Sequence, residues 1–327
     1  MTSEGSSTAP LWIADWSDSE DEDFRAACVA AGVEFRIVRT RPLGASVGTR
    51  FHRLYSWPSY ALLAAKGVRS AGNATLVAWQ PNAGALAAFL RRRGRPPLLL
   101  LNPLLDASVD TFRQRILAAG ASRADRVLFF SKSVMEIACS LGLPRSRLGF
   151  VPLGVKASPH WMPPSQDHLL AFGRSTRDWA TLAEAARGLP HDVFVVGPGH
   201  LAAEPPLKVL PQVDRPRLLE LISEARAIVI PLAATERVSG QLAVLDAMSV
   251  GRAVIATRTP GTEDYVTEET GVLVPAAAGD ALRDAMLHVL RPSVAERMGR
   301  AAHEAAEGPL SLERFVRTVY EEARKLC

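Results

Sequence analysis

The run over residues 231–274 reads PLAATERVSGQLAVLDAMSVGRAVIATRTPGTEDYVTEETGVLV, and it constrains this chain more than any other stretch. An apolar strand at 227–231 gives way to a loop of small and acidic residues, then to a helix carrying Leu245-Asp246-Ala247-Met248. Gly251 leads into a second buried strand at 253–257, and a second loop follows, Pro260-Gly261-Thr262-Glu263-Asp264-Tyr265. Strand ends that open into helix N-termini collect anions and polar ligands in α/β proteins, because the first helical turn has unpaired N–H groups.

The same rhythm runs through the chain. Strands are expected at 11–14, 34–38, 75–79, 97–101, 127–130 and 149–152, alternating with helical spacing at 24–31, 60–70, 83–92, 111–119 and 133–141. Apolar runs of this kind are strands buried on both faces, which predicts a parallel doubly wound sheet. Residues 153–164 break the rhythm with Gly154, Pro159, Pro163 and Pro164, as an interdomain connection does. A second series then supplies strands at 169–172, 193–196 and 228–231, and helices at 179–186, 217–224, 280–290, 294–306 and 311–326. A chain of 327 residues has room for two domains, drawn here as 1–153 and 154–310.

Composition narrows the function classes. Lys plus Arg number 38 against 34 Asp plus Glu, a mild excess of 4, where nucleic-acid binding usually needs a clustered basic face. That argues against nucleic acid and suits a small anionic substrate. Arg91-Arg92-Arg93-Gly94-Arg95 closes a helix, where cations suit the dipole, and a membrane-surface patch is the alternative reading. Cys28, Cys139 and Cys327 are too scattered for a disulfide framework or a metal site. The N-terminus has no signal-peptide pattern, and no apolar run approaches the roughly 18 residues of a membrane span. A soluble, cytoplasmic protein is expected, without membrane association or metal. Asp21-Glu22-Asp23 spells a metal-binding Asp-x-Asp, yet acidic residues at a helix start serve the dipole equally well. The wider stretch 18–23 is placed in the loop after the first strand, either as a solvated face or as an attractor for a cationic acceptor.

The residue order resembles the retaining, nucleotide-sugar-dependent glycosyltransferases of family 4, which have the GT-B fold. The resemblance rests on VLFFSKSVMEIACSLGLPRSRLGFVPLGVK (127–156), on LLAFGRSTRDW (169–179), on VFVVGPGH (193–200) and on the block at 231–274. It implies two Rossmann-like doubly wound domains facing across a cleft, the first binding acceptor and the second the donor. It also implies that the last helix, 311–327, crosses back to the first domain. Gly173 and Arg174 match the Gly-Arg that holds the donor diphosphate. Arg177 stands where relatives carry Lys, and its fork suits phosphate oxygens. Gly197 begins a Gly-x-Gly that is either part of the donor site or a tight turn. Ser239, Gly240 and Gln241 precede the helix as a diphosphate cradle or as a plain N-cap. Gly261 and Thr262 lie in the loop near the donor sugar.

The family's two acidic residues, eight positions apart, are where this chain departs. The second, which bonds the ribose hydroxyls, falls on Asp246; the first falls on Val238, and Glu236 is the nearest carboxylate. A lengthened loop that lets Glu236 contact the transferred sugar is the favoured account. Gln80 and Asn102, each just past a strand, are candidates for sugar hydroxyls or turn residues. The implied activity is hexosyl transfer with retention, from a UDP- or GDP-linked sugar to a hydroxyl of a sugar-containing natural product or glycan precursor, with no cofactor. A non-catalytic sugar-nucleotide-binding scaffold and a hydrolysing UDP-sugar epimerase stay open. Base, sugar and oligomeric state leave no signature.

Overall fold

The computed structural model describes residues 9–15, 17–40, 50–105, 111–197, 201, 204–234 and 238–327. The chain divides into two compact units: Met1–Pro152 together with Leu312–Cys327, and Leu153–Ser311.

The first unit runs β1 (Leu11–Ala14), α1 (Asp18–Ala31), β2 (Arg36–Arg39), α2 (Arg50–Ala71), β3 (Leu76–Ala78), α3 (Pro81–Leu90), β4 (Leu98–Leu101), α4 (Phe112–Arg123), β5 (Arg126–Phe129), α5 (Lys132–Ser140) and β6 (Leu148–Phe150). Its sheet is wholly parallel with order β2-β1-β3-β4-β5-β6. Trp12, Ile13, Val77, Leu98 and Leu99 are completely buried, because helices cover both faces of a parallel sheet. The Trp12 ring meets Phe24 at 4.5 Å, Phe35 at 5.2 Å and Trp79 at 6.0 Å between centroids.

Helix α1 starts six residues before the helical spacing at 24–31. Ser17 caps it, and Glu20 returns a bond to the Ser17 N–H at 2.7 Å, a capping box that makes the acidic stretch 18–23 helical. Asp18 pairs with Arg39 at 2.6 Å, and Asp21 with Arg25 at 3.0 Å. The placement of these acids in a loop is therefore corrected: two of them are helical side chains in ion pairs within the unit. Among the described residues, no group of three or more His, Cys, Asp or Glu is arranged to hold a metal ion. No described helix is long and apolar enough to cross a membrane.

The second unit runs β7 (Leu169–Phe172), α6 (Trp179–Ala186), β8 (Val193–Val196), β9 (Leu207–Leu210), α7 (Arg215–Glu224), β10 (Ala227–Ile230), α8 (Gln241–Ser249), β11 (Ala253–Thr257), β12 (Gly271–Val274), α9 (Gly279–Val289) and α10 (Pro292–Glu307). The sheet is parallel, in the order β12-β11-β10-β7-β8-β9. Counted within the unit, that is the doubly wound order 3-2-1-4-5-6. Strands β9 and β12 escaped the sequence reading. Both are outermost strands of four residues; Lys208 breaks the apolar run of β9, and β12, though apolar throughout, is short and opens on Gly271.

The final helix, α11 (Leu312–Arg324), belongs to the first unit. Phe315, Val316, Val319 and Ala323 form its buried stripe. Phe315 packs on Trp79 (6.1 Å) and Phe130 (5.7 Å), Tyr320 packs edge-on to Phe35 (5.4 Å), and Glu322 bonds Arg126 Nε at 2.6 Å.

Close helix packing in this unit depends on one missing side chain. A Cβ on Gly120 of α4 would stand 2.6 Å from both Cα and Cβ of Ala85 on α3. Gly120→Ala should destabilise the first unit by about 1–3 kcal/mol through overpacking, outweighing a helix-propensity gain of about 1 kcal/mol. A thermal midpoint at or above that of the wild type would refute this account of the α3–α4 contact.

Candidate functional site

The order of the second sheet reverses at β7, whose neighbours are β8 and β10. Chains leaving the carboxyl ends of β7 and β10 run to opposite sides there, and the crevice between them is where open α/β sheets take ligands. A pocket of about 360 Å3 lies at this point. Phe172 to Ser175 and Arg177 line it from the β7 side, and Val238 to Ala243 with Asp246 from the β10 side.

Backbone bonds stitch the two loops together. Asp178 N–H donates to the Pro231 carbonyl (3.0 Å) and Ala233 N–H to the Thr176 carbonyl (2.9 Å), flanking an antiparallel bridge between Arg177 and Leu232. Thr176 is held at φ +54°, an uncommon conformation for a β-branched residue, and its hydroxyl donates to Ser239 Oγ at 2.6 Å. Ser239 Oγ in turn donates to the Ser175 carbonyl at 3.5 Å.

Two arginines line the pocket and differ in how they are held. Arg177 Nε donates to the Phe172 carbonyl (2.8 Å) and Nη1 to that of Ser175 (3.0 Å). No carboxylate among the described residues pairs with it, and burial pushes its pKa down to about 10, so it keeps its charge at neutral pH. Its guanidinium lies over Gly173, at φ +115°, where a Cβ would collide with it. Glycine at 173 therefore makes room for the cation as well as for the turn. Arg174 is exposed, and its Nε donates to Gln212 Oε1 at 3.3 Å. Gly197, at φ +120°, lies beside that amide, and a Cβ there would stand 3.2 Å from Gln212 Oε1.

Helix α8 opens into the same pocket. Gly240 is its N-cap at φ +89°, with no side-chain cap, and a Cβ there would press on Leu232 (2.9 Å) and Thr262 (3.2 Å). The helix therefore presents its first-turn backbone and positive dipole end to the pocket. The Gln241 side chain turns inward, its Nε2 donating to the Tyr265 hydroxyl at 3.1 Å; burial raises the pKa of that phenol. Further along, Asp246 is 6% exposed, and Arg215 grips both oxygens, Nη2 on Oδ1 at 2.8 Å and Nη1 on Oδ2 at 3.2 Å. Burial raises the Asp246 pKa, and Arg215 opposes that shift.

Gly173, Arg174, Arg177, Ser239, Gly240, Gln241 and Asp246 thus come together around one pocket, while Gly197, Gly261 and Thr262 are not among its lining residues. Gly261 lets its backbone touch that of Ser239, where a Cβ would overlap the Ser239 main chain. Thr262 is completely buried, its hydroxyl donating to the Thr257 carbonyl at 2.6 Å. Both shape the seat beneath Ser239 and Gly240. Val238 lines the pocket itself, whereas Glu236 lies outside the described residues. Sequence reasoning missed Arg215 and Gln212. Each sits just beyond β9, a strand the apolar pattern did not reveal.

The first unit has its own reversal at β1, between β2 and β3. Asp15 follows β1, and Gln80 caps α3 after β3, with Oε1 accepting from Ala83 N–H at 2.9 Å. Gln80 also lies beside Asp15 and Tyr60, and it opposes the burial that raises the pKa of each. Arg113 Nε donates to Asn82 Oδ1 at 3.1 Å, and Asn82 likewise opposes the rise in the Tyr60 pKa. Asn102, after β4, has φ +43°, and its buried Oδ1 has no partner among the described residues.

Comparison with known proteins adds a family match over part of the chain, and the fold. Residues 164–292 match the family described as Glycosyl transferases group 1. No curated protein matches the chain in sequence. Among solved structures, a sucrose-phosphate synthase from Thermosynechococcus elongatus superposes with a TM-score of 0.73 at 17% identity, over 97% of this chain and 99% of that one. Anabaena HepE in complex with UDP and glucose gives 0.69 at 15% identity, over 97% and 99%. A glycosyltransferase from Rickettsia africae gives 0.64 at 12% identity, over 97% and 98%. The architecture is GT-B, two parallel α/β units in one chain.

Asp15 offers a test that needs no ligand. Burial is the main cause that pushes its pKa up from 3.8 to about 6, aided by Glu20 and opposed by hydrogen bonds from its own backbone and Gln80. The folded state then binds more protons than the unfolded one between those values, so this residue's contribution to stability falls as pH rises through that window. Asp15→Asn should have the higher thermal midpoint at neutral pH, with the gap closing below about pH 4. Parallel pH profiles for the two proteins would contradict the assignment.

Proposed function

We propose that this protein is a retaining glycosyltransferase that moves a hexosyl group from a nucleoside-diphosphate sugar to a hydroxyl of a sugar-containing acceptor. One observation carries the reading. Arg174, Arg177 and the N-terminus of α8, which no side chain caps, line one pocket with the buried Asp246 carboxylate. Two cations and a helix dipole suit a diphosphate; a two-oxygen acceptor suits the adjoining ribose diol. The family match over 164–292 covers this pocket, and HepE, of like fold, has been solved with UDP and with UDP-glucose. UDP-glucose is therefore the first donor to try.

The chemistry we assign is a front-face displacement. The bond between the anomeric carbon and the diphosphate oxygen breaks, and the acceptor oxygen joins the same face. The acceptor proton passes to the departing diphosphate. Arg177 is placed to stabilise the charge that develops on that leaving group, in a partly buried setting where such interactions are strong. Arg174, exposed and restrained by Gln212, adds a second cation. With charge compensation supplied by these groups, turnover is expected without added divalent cation. The Gln80, Tyr60 and Asn82 network beside Asp15 offers both donors and acceptors, as neutral sugar hydroxyls require, and we assign the acceptor to the first unit.

Two measurements test this. UDP at about 100 times its dissociation constant should stabilise the protein by about 2.7 kcal/mol, visible as a thermal shift. Arg177→Ala should lower turnover of UDP-glucose by about 100- to 1,000-fold, the usual effect of losing one donor to a developing oxyanion. Unchanged turnover in a folded Arg177→Ala protein would remove the leaving-group assignment. Donor binding with no turnover across a panel of sugar acceptors would instead favour a binding scaffold.

A further inference from the structure

The grip of Arg215 on Asp246 is not explained by the pocket alone. Arg215 is the first residue of α7, which follows the outermost strand β9, and its side chain is 64% exposed. It is not among the residues lining the pocket, whereas Asp246 is. The guanidinium therefore meets the carboxylate from outside the pocket, and the pocket-facing side of the carboxylate remains open to a ligand. A carboxylate has about four lone-pair sites, and a bidentate fork takes one on each oxygen. What is left is the outer lone pair of each oxygen, and these two point to opposite edges of the carboxylate, so the one that faces the pocket can accept from a single hydroxyl.

Resting on the sugar-nucleotide reading of this pocket, we propose that Arg215 is the positioning residue for ribose recognition: it fixes the plane of the Asp246 carboxylate so that the acceptor site left open toward the pocket meets a ribose hydroxyl. The arginine touches no ligand and acts through Asp246. It has a second effect through charge. Burial drives the Asp246 pKa upward, and Arg215 is the group that opposes it. Arg174 and Arg177 bring further positive charge to the pocket from the β7 side, and the Asp246 backbone carbonyl is occupied by Ser249 Oγ at 2.8 Å. Without Arg215 the carboxyl protonates at higher pH. One acceptor is then lost and a proton is placed where the ribose hydroxyl must donate.

A merely structural ion pair would behave differently. An exposed pair contributes little, but this carboxylate is buried, and stripping a buried charge of its partner is costly. Calorimetric titration of the full chain with UDP and with 2′-deoxy-UDP separates the cases, using Arg215→Leu, Arg215→Lys and Asp246→Asn. Arg215→Leu should weaken UDP by about tenfold at neutral pH, recover part of that as pH is raised, and bring the UDP to 2′-deoxy-UDP affinity ratio toward one. Arg215→Lys, which keeps the charge and loses the fork, should restore the pH profile while leaving the ribose preference impaired. In the Asp246→Asn background, Arg215→Leu should add nothing.

A folded Arg215→Leu protein with unchanged affinity, pH profile and ribose preference would overturn the proposal. If that variant does not fold, Arg215→Lys decides through the ribose preference alone. If the wild type binds none of UDP, GDP and dTDP, it is the sugar-nucleotide reading that fails. The pairing is then read without nucleotide, from the carboxyl-carbon NMR titration of Asp246, whose midpoint should rise in Arg215→Leu; an unmoved midpoint sinks the proposal.

Discussion

Most of the candidate chemistry depends on the reversal of strand order at β7. Chains leaving β7 and β10 at their carboxyl ends turn away to opposite sides, and the gap must be bridged by backbone. Here Asp178, Thr176 and Ala233 bridge it, which fixes Arg177 against the carbonyls of Phe172 and Ser175. The cost is local. Thr176 sits at positive φ, Gly173 and Gly240 tolerate no side chain, and a cation is partly buried with carbonyls as its partners among the described residues. Unfavourable groups kept together at one point of a fold are the usual mark of a site whose geometry serves a ligand rather than the fold.

The pocket also divides labour between closely held and loosely held groups. The α8 backbone and Arg177 are fixed by hydrogen bonds and close packing, whereas Arg174 is exposed and tied by one bond to Gln212. The first set defines where an anion sits, and the exposed arginine can adapt to what the anion carries. Gly261 and Thr262 belong to neither group. They are the floor beneath Ser239 and Gly240, and their influence on a ligand passes through that backbone.

Much of this was legible in the sequence, for identifiable reasons. Strands buried on both faces, such as Leu98–Leu101 and Ala227–Ile230, show as unbroken apolar runs. Glycines at strand ends marked the turns, and Gly173-Arg174 with Asp246 marked the two sides of the pocket. The illegible parts were those set by long-range packing. Strands β9 and β12 are four-residue outer strands with one neighbour each; Lys208 breaks the apolar run of β9, and β12 is a short apolar run opening on a glycine. Arg215 and Gln212 follow the first of these and went unnoticed with it. The spacing of Gly261 and Thr262 from the helix gave no sign that they pack directly beneath Ser239 and Gly240.

The membership of α11 in the first unit has a consequence for how this chain acquires its structure. Thr75 donates to the Ala323 carbonyl, a contact spanning 248 positions, and Phe315 completes the aromatic cluster around Trp79. The second unit is thus an uninterrupted stretch of chain, while the first is split around it. During synthesis the ribosome releases β1 to β6 long before the helix that finishes their core, and contacts of such separation close slowly. The second unit is free to fold as soon as it emerges; the first completes the aromatic cluster of Trp79 and Phe130 only when Phe315 of the last helix arrives.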